Sequence, residues 1–499
     1  MSSAITALSW HDRAKALDPR TQAFIGGRYV DSASGATFTR VNPADGKVLA
    51  QVAACDARDI DLAVASARAA FEAGVWSKRA PKARKAVLQR FAELIHDNLE
   101  ELALLETLDT GKPIRDSLNV DLPATVNCIR WFAEAVDKIY DQVAPTGNDS
   151  LALITREPLG VVGAIVPWNF PLIMAAWKIG PILAAGNSLV LKPSEKSPLS
   201  AIRLAQIASE AGIPDGVFNV VPGLGMPAGK ALALHMDVDG IAFTGSTATG
   251  RSIMQYAGQS NLKRVSLECG GKSPNIVLPD YEDLDRAATA AAFAIFFNQG
   301  EMCSAGSRLL VHEDIKDVFL DKVQQVAHGM VPGDPLDPET KLGAIVDEAQ
   351  MKRVLGYIDI AKKDGASVRY GGNRVRESSG GFYVEPTVFD GVTPKMKIAR
   401  EEVFGPVLAT LTFKTVEDAV RIANDVVYGL AAAVWTSNVT TAHRVARALR
   451  AGVVYVNCYD ADDITVPFGG FKQSGIGRDK SLHAFDKYTE LKTTWIDLS

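Results

Sequence analysis

Apolar and polar positions divide the chain into three stretches with different periods. Residues 24–54 hold short apolar runs broken by turn residues at Gly26-Gly27 and Asp45-Gly46, which predicts short strands. Val87, Leu88, Phe91, Leu94, Ile95 and Leu99 then recur at three- and four-residue spacings behind Pro81, the pattern of an amphipathic helix. From Val161 onward the period changes to strand, turn and helix. Apolar runs at Val161–Val166, Ser188–Leu191, Val217–Val221, Gly240–Phe243 and Arg264–Leu267 alternate with helical patterns at Ser200–Ala211, Pro227–His235 and Thr247–Ala257. The runs are continuous rather than alternating, as strands covered on both faces require, so a doubly wound, parallel α/β unit is expected.

A second α/β series follows Gly270-Gly271, a plausible crossing between domains. Its strands are expected at Asn275–Leu278, Arg308–Val311, Val407–Phe413, Ala431–Thr436 and Gly452–Val456, and its helices at Asp283–Asn298, Ile315–Met330 and Thr415–Asn424. Leu151–Arg156 and Leu491–Asp497 read as strands belonging to neither series. A β-arm pairing with another subunit accounts for them, because an unpaired strand edge is a liability.

Composition narrows the class. A length of 499 residues suggests roughly three domains. With 47% hydrophobic and 22% charged residues the chain is ordinary globular protein, which excludes a coiled coil, a collagen and a disordered tail. A net charge of −5 without a basic block argues against a nucleic-acid partner. Leu159–Trp177 holds 19 uncharged residues, but Pro167, Asn169 and Pro171 interrupt it, so a buried strand and a loop are expected rather than a membrane span. Five cysteines and a polar, charged N-terminal segment point to a reducing compartment, and a cytoplasmic location is expected.

Several residues stand where chemistry is possible. Gly223-Leu-Gly225-Met-Pro-Ala-Gly229 looks like a dinucleotide loop with non-standard spacing. Gly245-Ser246-Thr-Ala-Thr-Gly250 follows the strand ending at Phe243 and opens a helix, so its N–H groups can face a pyrophosphate. Either is equally an ordinary strand-to-helix turn. Lys192-Pro-Ser194-Glu195 lies past the carboxyl end of a strand, where Glu195 can accept from ribose hydroxyls and repel a 2′-phosphate; a solvated surface Glu is the plainer reading. Cys303 lies in a small-residue loop, and Glu268 follows an apolar run beside two glycines, where burial would raise its pKa toward that of a general base. No Cys/His spacing suggests a metal.

Taken together, these segments resemble the NAD(P)-dependent aldehyde dehydrogenase family from about Phe24 to Trp495. The motifs are Pro167-Trp168-Asn169-Phe170-Pro171, Leu267-Glu268-Cys269-Gly270-Gly271-Lys272, Phe297-Asn-Gln-Gly-Glu-Met-Cys303, Glu402-Val-Phe404-Gly-Pro406 and Pro467-Phe468-Gly-Gly470. The resemblance implies an NAD-binding domain (1–137 and 158–267), a catalytic domain (268–477) and a β oligomerisation arm (138–157 and 478–499), assembled as a dimer or tetramer. It implies NAD, with NADP less favoured. It implies that the Cys303 thiolate attacks an aldehyde, that the Asn169 amide and the Cys303 N–H hold the oxyanion, and that Glu268 activates the water that hydrolyses the thioester. Cofactor positions match Val166, Pro167, Trp168, Lys192, Ser194, Glu195, Gly225, Gly229, Phe243, Gly245, Ser246, Glu402 and Phe404. Trp168, Gly245 and Ser246 resemble adenine- and pyrophosphate-site positions. Lys178 and Asp479 are candidates for a proton relay, although relatives often carry Glu where this chain has Asp479.

The same resemblance places Tyr459–Thr465 at the substrate funnel. Asp460, Asp462 and Asp463 there would attract a cation, unless they form a solvated acidic loop, while Trp177 and Phe468 are candidate aromatic walls and Trp131 is assigned to the core. Leu104–Pro113, Lys192–Ala201 and Arg478–His483 look most similar to bacterial gamma-glutamyl-gamma-aminobutyraldehyde dehydrogenases, with 4-guanidinobutyraldehyde dehydrogenases close by. An amino- or guanidino-aldehyde of putrescine or arginine degradation is therefore expected. The alternatives are a broad-specificity or betaine-aldehyde-type enzyme, a CoA-acylating relative, which Glu268 argues against, and a crystallin-like structural protein, which the presence of Cys303 and Glu268 disfavours.

Overall fold

The structure, a computed structural model, describes residues 8–499; the first seven residues of the polar N-terminal segment lie outside it. Five parallel strands form the heart of the first sheet. In spatial order they are Phe218–Val220, Ser188–Lys192, Val161–Ile165, Gly240–Gly245 and Arg264–Cys269. The first of them in the chain, Val161–Ile165, lies in the middle. The next two build outward on one side and the last two on the other, so the winding reverses between Val161–Ile165 and Gly240–Gly245. Ligands of such sheets bind outside the carboxyl ends of the strands at that reversal. The antiparallel hairpin Ala23–Ile25/Arg28–Val30 extends one edge and Gly475–Ile476 the other.

The continuous apolar runs have the predicted cause. Val162 and Ala164 enter one buried cluster, while Val161 and Ile165 enter another on the opposite face. The helices Pro171–Ala185 and Leu199–Glu210 cover the first face, and Ala57–Ala73 covers the second. The first cluster continues without a break into the second sheet through Val277, Leu309, Val311 and Leu408. That sheet has the order Ser367–Tyr370, Thr387–Asp390, Val407–Phe413, Arg308–His312, Pro274–Val277, Ala431–Trp435 and Val453–Val456; only Ser367–Tyr370 runs antiparallel. The chain crosses between the sheets at residues 270–273, where Gly270-Gly271 lies. The two orphan strands pair with each other: Ser150–Pro158 runs antiparallel to Thr489–Asp497, with Gln142–Ala144 on its other side, in a separate three-stranded sheet.

Several expected boundaries move. The Val87–Leu99 pattern spans two helices, Pro81–Asp97 and Leu99–Thr110, because the chain leaves helical geometry at Asn98. The helix expected at Pro227–His235 shrinks to Lys230–Leu234 behind a wide turn, Gly225–Gly229, since Pro227 cannot donate within a regular first turn. The helix expected through Asn298 ends at Phe296, because Asn298, Gln299 and Gly300 all take left-handed φ. The segment after Pro167 is a loop only as far as Phe170; the helix Pro171–Ala185 follows, with proline in its first position. No helix among the described residues is long and apolar enough to cross a membrane.

Gly300 locks the loop that precedes Cys303 against the second sheet. Its φ is +70°, and a Cβ there would lie 2.2 Å from the carbonyl oxygen of Gly405. Left-handed backbone costs a non-glycine residue about 1 kcal/mol, and backbone against backbone has no flexible end that can yield. Gly300→Ala is expected to lower the thermal midpoint and to displace the Cys303 loop. Scanning calorimetry together with thiol titration of Cys303 checks both.

Candidate active site

A cleft opens where the winding of the first sheet reverses. Pro167, Trp168 and Asn169 line it from the end of the central strand, and Thr244, Gly245 and Ser246 from the end of its neighbour. Glu268, from the next strand, faces them. Cys303, Glu402 and Phe404 close the cleft from the side of the second sheet, leaving a cavity of about 180 Å³. A second cavity, of about 430 Å³, reaches Cys303 from the opposite direction. Cys303 and Met174 line both. The sulfur-bearing loop is thus the partition between a cleft and a funnel.

Cys303 is held by its loop rather than by its own side chain. The Asn169 Nδ2 donates to the Glu301 carbonyl at 2.9 Å, and the Asn298 Nδ2 donates to both the Glu301 and Asn169 carbonyls at 3.1 Å. Gln299 accepts from the Gly343 N–H, Glu301 accepts from the Val346 N–H, and Tyr459 donates to the Ser304 carbonyl. Below the loop, the buried Arg308 guanidinium spends its donors on the carbonyls of Lys272, Ile422 and Ala423. Asn298, Gln299 and Glu301 lie inside the cysteine motif, but their role in holding the loop was not legible, because most of their partners, Asn169, Gly343 and Val346, lie far away in the chain.

Glu268 is buried, and among the described residues its Oε1 has no hydrogen-bond partner. Burial, and then the charge of Asp479, hold its carboxyl well above the usual range. Burial, and then Glu268, push the Cys303 thiol up in the same way. Asp479 is different. It bonds Lys178 through one oxygen and Lys487 through the other. Burial opposes its charge, yet the two ammonium groups hold it below the usual range, while Lys487 is pushed down to about 8 by burial. The missing methylene therefore does not stop Asp479 from reaching Lys178. With both oxygens occupied, Asp479 is a fixed charge, and Lys487, a partner the sequence did not suggest, is the group nearer to titration.

The expected cofactor residues separate into groups. Pro167, Trp168, Gly245, Ser246, Glu402 and Phe404 share the cleft, and the Trp168 and Phe404 rings meet edge to face at 5.2 Å. The Lys196 ammonium lies 5.1 Å from the Trp168 ring centroid. Glu402 accepts from the Gly271 N–H and is pushed up to about 7 by burial; a Cβ on Gly270 would lie 2.1 Å from its carboxylate. Lys192 pairs with Glu195 at 3.2 Å past the strand next to the central one, and Ser194 is buried beside them. Val166 donates to the Lys192 carbonyl and so joins the two strand ends. Gly225 and Gly229 follow the strand farther from the reversal and do not line the cleft, and the Phe243 ring is core, packed against Gly245.

The funnel walls are aromatic: Trp177 against Phe468 at 5.2 Å and Phe170 stacked on Phe297 at 6.3 Å. Trp131 is only partly buried but packs against the core, as expected. The acids of the loop differ in their partners. Asp462 is bonded to the buried Lys480, whose ammonium lies 5.5 Å from the Trp177 ring centroid, and Asp463 accepts from Thr465. All three line the funnel, and Asp460 is the one bonded neither to a cation nor within its own loop. It is open to the cavity, near Ser304 Oγ at 3.5 Å, and is pushed up to about 7 by the protein around it and by Asp462. No cluster of three His, Cys, Asp or Glu suited to a metal occurs among the described residues.

The sequence profile of the aldehyde dehydrogenase family matches residues 29–494. The chain is 53% identical to the NADP/NAD-dependent aldehyde dehydrogenase PuuC of Escherichia coli (strain K12), over 98% of each chain. Among solved structures, an indole-3-acetaldehyde dehydrogenase in complex with NAD+ superposes with a TM-score of 0.98 at 61% identity, covering 99% of this chain and all of that one. A gamma-glutamyl-gamma-aminobutyraldehyde dehydrogenase from Burkholderia cenocepacia superposes with a TM-score of 0.97 at 63% identity and the same coverage.

Removing one member of a buried ion network strands the others, at a cost of about 3–5 kcal/mol. Asp479→Ala is therefore expected to lower stability by that order, read from chemical unfolding. Because the folded pKa of Asp479 lies below its unfolded value of about 3.9, its contribution is fully present above that pH. It is lost as pH falls toward the folded value, and the variant should show a shallower acid limb.

Proposed function

The chain belongs to the aldehyde dehydrogenase family, and from that premise we propose that it oxidises an amino- or guanidino-aldehyde to its carboxylate, with NAD preferred. One observation carries the chemical reading: Cys303 is the nucleophile shared, with Met174 beside it, by a cleft lined by Asn169, Glu268 and Glu402 and a funnel. A nucleophile in that place meets an aldehyde from one direction and a cofactor from the other.

The residues present fit a dinucleotide. The Ser246 cap and the N-terminus of the helix Thr247–Gln259 offer backbone donors at the reversal of the sheet, and Thr244 Oγ1 is buried in the cleft without a partner among the described residues. Glu402 would hold the nicotinamide ribose, and Lys192 and Glu195 the adenosine ribose; a carboxylate at Glu195 disfavours a 2′-phosphate. A dinucleotide held by these residues would supply a hydride acceptor. The Cys303 thiolate adds to the aldehyde carbon, and the Asn169 amide with the Cys303 N–H holds the oxyanion. Glu268, its unpaired oxygen facing the cleft, takes a proton from the water that cleaves the acyl–sulfur bond. The fixed charge of Asp479 keeps Glu268 strongly basic, and Lys178 and Lys487 hold Asp479 in place.

For the substrate, the aromatic walls cover a methylene spacer, and Asp460 with the ring faces answers a terminal cation. The same walls, with Asp462 neutralised by Lys480, favour an aryl-acetaldehyde as the second reading. The arm sheet leaves Leu491 and Trp495 exposed along an open edge, which suits a dimer or a dimer of dimers. A free thiol nucleophile suits the reducing cytoplasm.

Glu268→Gln is expected to give a rapid burst of about one NADH per active site followed by slow turnover, because acylation survives and hydrolysis does not. Since burial raises both Glu268 and Cys303, and both act deprotonated, wild-type kcat should rise with pH above neutrality; the variant should lose the Glu268 limb. A full steady rate in the variant defeats this assignment. Asp460→Asn is expected to raise KM for 4-guanidinobutyraldehyde about tenfold or more, with propanal nearly unchanged, an interaction worth about 1.4 kcal/mol. Equal effects on both aldehydes, or strong preference for indole-3-acetaldehyde in the unmodified protein, would favour the second reading.

A further inference from the structure

Three buried ionisable groups lie behind the funnel wall and take no part in the chemistry above. Glu106, on the helix Leu99–Thr110, and Asp121, at the end of the turn Ser117–Asp121, are fully buried, and Lys112 is 1% exposed. Lys112 bonds Asp121 and stands 4.2 Å from the centroid of the Phe170 ring. Glu106 Oε1 accepts from the Leu172 N–H at 2.7 Å.

That last bond matters for what precedes it in the chain. The helix Pro171–Ala185 begins two residues after Asn169. Its first residue is proline, which has no N–H, and Phe170, in the capping position, offers no side-chain acceptor. The first free donor of the helix is therefore the Leu172 N–H, and Glu106, from another helix, supplies the acceptor the local sequence lacks. Asn169 is already tied through its side chain to Glu301 and through its carbonyl to Asn298. The Leu172 bond fixes the chain on the third side.

We infer that Glu106 is a positioning residue, which caps the helix after Asn169 and so holds the Asn169 amide where the oxyanion forms. The inference rests on the reading of Asn169 as an oxyanion donor. Charge balance defines the state of the cluster. Among the described residues, Glu106 Oε2 and Asp121 Oδ1 have no donor, although the two carboxyl groups lie within hydrogen-bonding reach of each other. One proton between them satisfies both oxygens and leaves Glu106 neutral, Asp121 negative and Lys112 positive, a buried set with no net charge. Lys112 bonds Asp121 and not Glu106, which leaves Glu106 to carry the proton, and burial with the neighbouring Asp121 pushes Glu106 in that direction. Neutral Glu106 still accepts through Oε1, so the cap needs an acceptor oxygen at a fixed reach and a donor toward Asp121, not a charge.

Glutamine meets both requirements, which makes the test sharp. Glu106→Gln should keep kcat within about twofold of the unmodified protein. Glu106→Leu, which removes both functions, and Glu106→Asp, which keeps a carboxyl one methylene short of Leu172, should each lower kcat about tenfold or more, since small displacements of a reacting group cost that much. KM for NAD should stay within about twofold. Rates are counted per Cys303 thiol, titrated by the amount of alkylating reagent that abolishes activity, so loss of folded protein does not enter, and Glu106→Asp serves if Glu106→Leu fails to fold. Asn169→Ala provides the reference: in that background Glu106→Asp should have no further effect, because both act on one interaction. Full additivity, a normal kcat per thiol in Glu106→Asp, or a Glu106→Gln as slow as Glu106→Asp would each overturn the inference. Full activity of Asn169→Ala alone would instead defeat the oxyanion reading on which it stands.

Discussion

One hydrogen bond joins the two halves of the site: the Asn169 amide to the Glu301 carbonyl, at 2.9 Å. Asn169 follows the central strand of the first sheet, and Glu301 lies in the loop that leads into the second. The two sheets share a continuous apolar cluster, which fixes their distance, but a hydrophobic contact is non-directional. Orientation at the scale of a reacting atom needs bonds with angles. The Asn169–Glu301 bond, the two bonds from Asn298 and the left-handed run through Gly300 supply them. The remaining residues of the cleft are placed relative to that joint.

Buried ionisable groups around the site fall into those paired with an opposite charge and those that are not. Asp479 lies between Lys178 and Lys487, Asp462 is bonded to Lys480, and Asp121 to Lys112. Each pairing offsets the desolvation that a lone buried ion would suffer. Glu106, Glu301 and Glu402 have no ammonium in contact and accept from backbone N–H groups instead, whereas Glu268 has neither, and Asp479 nearby raises its pKa further. A base must be reluctant to stay ionised if it is to take a proton, so the unpaired group is the one suited to proton transfer and the paired groups are suited to hold geometry. That division also separates the candidates for the relay. Asp479 cannot both be pinned by two ammonium groups and carry protons readily, whereas Lys487, brought down to about 8, titrates near neutrality.

Much of the fold was legible, for physical reasons that differ between elements. Runs such as Val161–Ile165 announce themselves because both faces are covered, so no position needs to be polar. The arm strands were legible as orphans, because no apolar cluster in sequence claimed them. The order of strands was not legible. Gly225–Gly229 and Gly245–Gly250 look alike as loops, and only the reversal of winding beside Gly240–Gly245 puts one in the cleft and the other outside it. Cys303, Glu268 and Asn169 were found through motifs whose residues are near neighbours in the chain. The roles of Glu106, Asn298 and Lys480 were missed, since each acts through a contact that exists only after folding, and a lone Glu, Asn or Lys carries no local mark of it.

The funnel shows why counting charges along a loop misleads. Three aspartates in four residues suggest a strongly acidic mouth. Folding pairs one with Lys480 and engages another with Thr465 of its own loop, so all three line the cavity but one is left without such a bond. A single acid left this way among aromatic walls makes a selective site rather than an attractive one. It rewards a cation only at a particular distance from the aldehyde carbon, and it penalises an apolar chain little, because Asp460 can take up a proton near neutrality. Such a funnel tolerates aryl and amino aldehydes alike at the level of shape and separates them by the charge state of one residue. Structures at 61% and 63% identity carry names for both kinds of substrate, so the overall fold does not separate the two.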